Sequence, residues 1–348
     1  MIMIIMAETA VKIQEGKKTI LQSLMMLSMI FVMLTQSAAS ARRVTEVIEE
    51  QPDIVNPENP VYDIADGSVE FRSVRFDYQP SETSETSITS ETSKTSSPSK
   101  TKPSRRSALF NVSFSIASGE TIGVIGGTGS GKSTLVNLIS RLYDVSQGEV
   151  LVGGRNVKDY DLTSLRNAVS VVLQKNILFS GTILDNLRWG NPKATEEQCI
   201  KACQLAQADE FIQQMPEGYH THLEQGGTNV SGGQKQRLCI ARALLKQPKV
   251  LVLDDSTSAC DTATDAKIQR AFREDLSGMT KIIIAQRILS VKDCDRILVM
   301  DNGIVTGFDT HENLLKDNAL YQEINAIQSA DQGDFDATDE HQAKGGDA

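Results

Sequence analysis

Thr121-Ile122-Gly123-Val124-Ile125, followed by Gly126-Gly127-Thr128-Gly129-Ser130-Gly131-Lys132-Ser133, is the stretch whose reading decides the fold of this chain. The first five residues have the length and composition of a buried strand, and Lys132–Leu142 carries a helical pattern. Between them stands Gly126-x4-Gly131-Lys132-Ser133. Glycines in such a turn let backbone N–H groups close around an anion, and the helix that follows points its positive end at the same place. Lys132 is then placed to bridge the β- and γ-phosphates of a nucleotide and the Ser133 hydroxyl to ligate Mg²⁺, with Thr134 beside them. A chance glycine-rich turn is the plain alternative, and the strand before it and the helix after it argue against that.

Val250-Leu251-Val252-Leu253-Asp254 supplies a second half. It is a hydrophobic strand that delivers a carboxylate at its end, where Asp254 can hold the metal ion. Alone this is weak, since buried strands often end in an Asp cap. Paired with the glycine loop it is a nucleotide-site pattern.

The 348 residues carry a formal net charge of -10 and are 40% hydrophobic, enough for an ordinary globular core. The acidic balance argues against nucleic acid as a partner, because broad phosphate binding needs a basic face. The five cysteines, 199, 203, 239, 260 and 294, lack the paired short spacings of a zinc site and read as reduced thiols.

From Thr19 to Ala41 no residue is charged, and as a helix those positions run about 34 Å, enough to cross a bilayer. Lys17-Lys18, the apolar run and Ala39-Ser40-Ala41 also imitate a signal peptide. A nucleotide site downstream favours a membrane helix over that reading, with Arg42 and Arg43 at its cytoplasmic end. The helix continues through Ala41–Glu50, and Pro52, Pro57 and Pro60 open a linker over 51–66. A domain then runs from Gly67 to residue 326. Within it Ser68–Tyr78 alternates well enough for a strand pair, and the Ser/Thr-rich insertion 79–107 is expected to be disordered. Short β runs are expected at Val169–Leu173, Val250–Asp254, Lys281–Ala285, Arg296–Asp301 and Ile304–Phe308, the last two joined by an Asn302-Gly303 hairpin turn. The text between Ser180 and Leu245 turns helical. The acidic tail 327–348 is expected to be unstructured.

Val230-Ser231-Gly232-Gly233-Gln234, followed by a helix expected to begin near Lys235, resembles the LSGGQ signature of the ABC ATPase family, and Lys235-Gln236-Arg237-Leu238 with Ala241-Arg242-Ala243 fits the same pattern. The resemblance spans Gly67 to about Asn325. It implies an α/β fold: a P-loop NTPase core with a RecA-like mixed sheet, an antiparallel β subdomain and an inserted helical signature subdomain, here behind the remnant of a membrane helix. It implies ATP and Mg²⁺ as cofactors. Position by position, Tyr78 is similar to the aromatic that stacks on adenine, Gln174 to the glutamine that touches Mg²⁺ and relays motion to the transmembrane domain, and Asp261 to the aspartate that acts across the dimer interface. Ser231, Gly232, Gly233 and Gln234 would cover the γ-phosphate held by an opposite subunit.

Two positions depart from the family pattern. Asp255 stands where the family places a glutamate that positions the attacking water, and a side chain one methylene shorter misses by about an ångström, which can cost on the order of 100-fold. Gln286 stands where the family has a histidine against the γ-phosphate; an amide donates a neutral hydrogen bond but passes no proton. Lys132, Ser133, Asp254 and Gln174 are kept. Binding retained with chemistry weakened resembles the degenerate-site subunit of a heterodimeric exporter, whose partner half-transporter supplies the missing Glu and His. Phe179-Ser180-Gly181-Thr182-Ile183 with Asn186-Leu187 also resembles exporters. The expectation is therefore the last part of a half-transporter in the inner or plasma membrane, its ATP-binding domain on the cytoplasmic side. A bundle of about six membrane helices does not fit before Gly67, so a fragment, a truncated product or a remnant is expected. A free-standing soluble ABC ATPase and a non-hydrolysing ATP-gated module are the competing readings.

Overall fold

The computed structural model describes residues 2–78, 107–254 and 262–329. The chain divides into two compact units, Met1–Val55 and Asn56–Ala348.

The first unit is one helix, α1 (Ile2–Glu49). Its 48 residues span about 72 Å at 1.5 Å per residue. By length and composition it is a candidate membrane span, and apolar side chains such as Leu24, Phe31 and Leu34 are exposed along it. The helix begins well before the uncharged run that identified it, because nothing between Ile2 and Lys18 breaks a helix: there is no proline, and Gly16 is the one glycine.

The second unit is built on two sheets. β1 (Val69–Phe76), β2 (Leu109–Ile116), β4 (Gln147–Val152) and β5 (Arg155–Asn156) form an antiparallel sheet in the order β2-β1-β4-β5. The expected strand pair within 68–78 is instead a single strand. Ser73 adopts a left-handed φ of 48° and its N–H is taken by the Ser113 hydroxyl at 2.8 Å, so the chain bulges there and runs on rather than folding back. The partners of β1 come from the far side of the Ser/Thr insertion, whose residues 79–106 lie outside the described ones.

The second sheet has six strands in the order β12-β11-β3-β10-β9-β6, from β3 (Thr121–Gly126), β6 (Val169–Val172), β9 (Val250–Asp254), β10 (Thr280–Ile284), β11 (Arg296–Asp301) and β12 (Ile304–Asp309). All neighbours are parallel except the β11–β12 hairpin. That hairpin turns on Asn302 and Gly303, whose φ of 47° and 80° match the turn the dipeptide predicts. The parallel strands are mainly apolar because both faces of their sheet are buried. Hydrophobic side chains gather into two cores, one between the two sheets and one between the larger sheet and the helical segment.

That helical segment holds α4 (Ile183–Arg188), α5 (Glu196–Leu205), α6 (Asp209–Gln213) and α7 (Gly232–Leu244), with a two-stranded β7–β8 ribbon (Gly181–Thr182, His222–Leu223). α2 (Lys132–Ile139) follows the glycine loop, and α3 (Leu162–Ala168) precedes β6. α2 stops short of Leu142, because Arg141 turns left-handed at φ 49° to bond Asp144 and the Lys158 carbonyl. α8 (Thr262–Glu274) leads to β10, and after α9 (His311–Asp317) a helix over 319–329 continues past Ala326, where the unstructured tail was expected to begin. Residues 330–348 lie outside the described ones.

Candidate nucleotide site

The site residues are collected by the strand order. β3, β10, β9 and β6 lie side by side and parallel, with Val124 opposite Ile284, Ile284 opposite Asp254, and Leu253 opposite Val172. Their C-terminal ends therefore open on one edge, within about 14 Å for three strand spacings. From β3 leaves the glycine loop, from β10 the segment with Gln286, from β9 Asp254 itself, and from β6 the segment with Gln174. Loops at the carboxyl edge of a parallel sheet are where such folds bind ligands.

The loop from Gly126 to Gly131 is held tightly from behind. A Cβ on Gly126 would lie 2.2 Å from the Met300 carbonyl oxygen, so the β3–β11 approach admits only glycine there. Gly131 caps α2 with a φ of 101°, and a side chain on it would meet Leu109 and the Ala108 carbonyl. The Gly303 N–H donates to the Ser130 carbonyl at 3.0 Å, tying the β11–β12 turn to the loop. Gly127, Thr128 and Gly129 are exposed, while Ser130 is buried. Lys132 folds over the loop: its Nζ donates to the carbonyls of Gly126 and Gly127, both at 2.8 Å, and to Ser130 Oγ at 3.3 Å. Ser133 is exposed in the first turn of α2.

Tyr78 lies against this helix. Its hydroxyl is 3.1 Å from Thr134 Oγ1, and its ring meets Phe76 and Tyr143 edge-on, with centroids 4.7 and 5.2 Å away. As a whole residue Tyr78 stays 46% exposed. Tyr143 was not singled out from the sequence; its distance from Tyr78 in the chain hides the pairing.

The signature segment opens α7. Ser231 caps the helix in a capping box, Ser231 Oγ accepting from the Gln234 N–H at 3.3 Å and Gln234 Oε1 accepting from the Ser231 N–H at 2.9 Å. The helix thus starts at Gly232 rather than near Lys235, because Ser-x-x-Gln forms a cap despite the two glycines. Ser231 and Gly232 are exposed at its positive end.

Further along α7, Arg242 reaches the segment that follows Gln174. It donates to the Asn186 carbonyl at 3.0 Å, to the Ile177 carbonyl at 3.1 Å and to Asn186 Oδ1 at 3.2 Å. Burial pulls its pKa down from the ordinary arginine value. Buried Asn186 in turn holds both main-chain groups of Phe179. The loop after β6 and the signature helix are therefore one hydrogen-bonded unit. Gln174 and Gln286 are both exposed on the sheet edge, and Asp254 is half-buried. Asp255 and Asp261 lie outside the described residues. Among the described cysteines, 199, 203, 239 and 294 are free thiols, and burial pushes Cys203 up to about 12.

The ABC transporter family model matches residues 109–258. An uncharacterized ABC transporter ATP-binding protein of Bacillus subtilis, YknV, is 38% identical over 296 residues, 85% of this chain and 45% of that protein. The cyclolysin secretion/processing ATP-binding protein CyaB of Bordetella pertussis is 45% identical over 232 residues, 67% of this chain and 33% of the relative. Among solved structures, a bacterial Atm1-family ABC exporter with ATP bound superposes with a TM-score of 0.75 at 32% identity, over 87% of this chain and 49% of the exporter chain. The chain thus spans about half the length, or less, of the proteins it matches. On the fold, the sheet-edge loops and these matches together, the chain carries an ABC transporter ATP-binding domain, homologous to those of ABC exporter ATP-binding proteins.

Proposed function

We propose that this chain is the ATP-binding end of an ABC exporter half, coupling ATP binding and hydrolysis to export across the inner or plasma membrane. The observation that carries the reading is the common sheet edge of the glycine loop, Asp254, Gln174 and Gln286, together with a signature segment that caps the exposed start of α7. The phosphates lie on the loop from Gly126 to Gly131 with Lys132, Ser133 and Thr134, and adenine stacks on Tyr78. A Ser hydroxyl, a carboxylate and an amide carbonyl form the hard oxygen set that suits Mg²⁺, which Ser133, Asp254 and Gln174 would hold; the ion would neutralise phosphate charge there. α1 is the end of the transmembrane domain, with Arg42 and Arg43 on the cytoplasmic side. Exposed Leu173, Ile177, Phe179 and Trp189 around the Gln174 segment offer the transmembrane domain an apolar face, and the Arg242 ties pass its movement to the signature.

The site formed on this chain's own loop is the slow one. Asp255 and Gln286 replace the two side chains nearest to bond cleavage, while the intact Ser231–Gln234 segment completes the active site on a partner half-transporter, with Asp261 at the shared interface. The same two substitutions also favour a second reading, an ATP-gated module without turnover. Co-expression with the partner half separates them. Gly232→Asp sets a carboxylate where the γ-phosphate of the partner's ATP sits, and like charges in a closed interface cost several kcal/mol. ATPase activity of the purified pair should nearly vanish with Gly232→Asp and remain substantial with Asp255→Asn. Equal loss in both variants contradicts the asymmetry, and no stimulation by the partner favours the second reading.

A further inference from the structure

Gln328 lies in the last described turn of the chain, yet its side chain reaches the segment that leaves β10. Its Oε1 accepts from the Ile288 N–H at 2.8 Å and its Nε2 donates to the Gln286 carbonyl oxygen at 2.8 Å. One amide group thus brackets the main chain of residues 286–288. Upstream, β10 is buried along its whole length and the Ala285 N–H is bonded to Val124. Downstream, the Ile288 side chain is buried and the 3₁₀ turn Ile288–Ser290 closes on itself. Gln286 and Arg287 between them are exposed. The amide of Gln328 therefore fixes the backbone at the point from which the Gln286 side chain projects.

The helix that carries it is registered independently. Tyr321 is fully buried, its hydroxyl 2.7 Å from His311 Nδ1 and its N–H donating to Asn318 Oδ1 at 2.9 Å. Gln322 donates to the carbonyls of Leu315 and Lys316 at 2.8 and 3.0 Å. Two helical turns separate Tyr321 from Gln328, so both lie on one face and the anchored tyrosine sets where the amide points. A hydrophobic side chain at 328 would keep the packing and lose the bracket.

We infer that Gln328 is a positioning residue for the nucleotide site: it acts through the main chain of Gln286 and aims that side chain at the terminal phosphate. This rests on the reading of Gln286 as facing the γ-phosphate, and it makes the C-terminal helix part of the ATP-sensing edge of the sheet. Because both hydrogen bonds of Gln328 go to backbone atoms of the segment, its effect on the nucleotide is routed through Gln286.

The test uses the full chain in detergent, with amide hydrogen exchange at residues 287–289 and calorimetric affinities for MgATP and MgADP. Gln328→Met should speed exchange at Ile288 at least tenfold and lower the ATP-to-ADP affinity ratio by about three- to tenfold, the scale of one lost hydrogen bond. Gln286→Ala should lower the ratio equally, and adding Gln328→Met to it should lower it no further. Gln328→Glu, which keeps the acceptor for Ile288 but sets a carboxylate against the Gln286 carbonyl, should lower the ratio with part of the exchange protection kept. Unchanged exchange in Gln328→Met, fully additive effects in the double variant, or a normal ratio in Gln328→Met while Gln286→Ala lowers it would each overturn the role of Gln328. A normal ratio in Gln286→Ala removes the γ-phosphate contact itself, and the positioning role with it.

Discussion

Lys281 shows how much a single side chain can hold behind the site. It stands on β10 with 1% of its surface exposed, and its Nζ donates to the carbonyls of Phe272 and Leu276 at 3.0 and 2.9 Å. The ammonium therefore closes the C-terminal end of α8, where the helix dipole favours a cation. Burial pulls its pKa down, partly offset by Asp295. Lys281→Met should strand both carbonyls and cost about 1.5–3 kcal/mol in denaturant unfolding, the range for hydrogen bonds to a charged group. An unchanged unfolding midpoint would mean that water satisfies those carbonyls. None of this was legible in the sequence, where Lys281 read as the first residue of a strand: a buried lysine is visible only once the strand is known to be central. The opposite holds at Lys132, whose neighbours in sequence are also its neighbours in space. Glycine spacing encodes a local loop completely. Tyr143 and Gln328 come from distant elements, and nothing near them in the chain announces the contact.

At the scale of elements, side-chain caps fix where α4 and α7 begin, and neither was named from the sequence. Thr182 and Asp185 form a capping box on α4, Asp185 Oδ2 accepting from the Thr182 hydroxyl at 2.7 Å and from its N–H at 2.9 Å. The hydroxyl bond first, then the backbone bond, holds the Asp185 carboxyl below its ordinary value of 3.8. A carboxylate depressed by folding contributes stability that is complete above the ordinary value and is lost as pH falls through the lower folded one. Acid titration of unfolding should therefore show a loss setting in below about pH 4, shallower in Asp185→Asn than in the parent chain. Equal slopes would place the acid-sensitive groups elsewhere. The same logic explains the signature helix: two glycines suggested a late start, and the Ser231–Gln234 box overrode their poor helix propensity. β1 failed as an expected pair for a different reason. Alternation specifies a strand face and not the partner, and its partners are supplied by segments far along the chain.

For the whole molecule, the order of motifs along the sequence proved as informative as the motifs themselves. Glycine loop, Gln174, signature and Asp254 occur in that order, and the sheet brings three of them to one edge by placing β10 and β9 between β3 and β6. This crossover could not be read from hydrophobic runs, which are alike in all parallel strands. The ATP-binding assignment depends on that edge, and isothermal calorimetry of MgATP on the full chain, with ATP turnover followed in parallel, tests it most directly. The parent chain should bind MgATP while hydrolysing it negligibly by itself, and Lys132→Ala should abolish binding, since the ammonium is the charge set inside the phosphate loop. Unchanged affinity in Lys132→Ala would contradict the assignment of the loop as the phosphate site, and rapid hydrolysis by the parent chain alone would contradict the slow site built from Asp255 and Gln286.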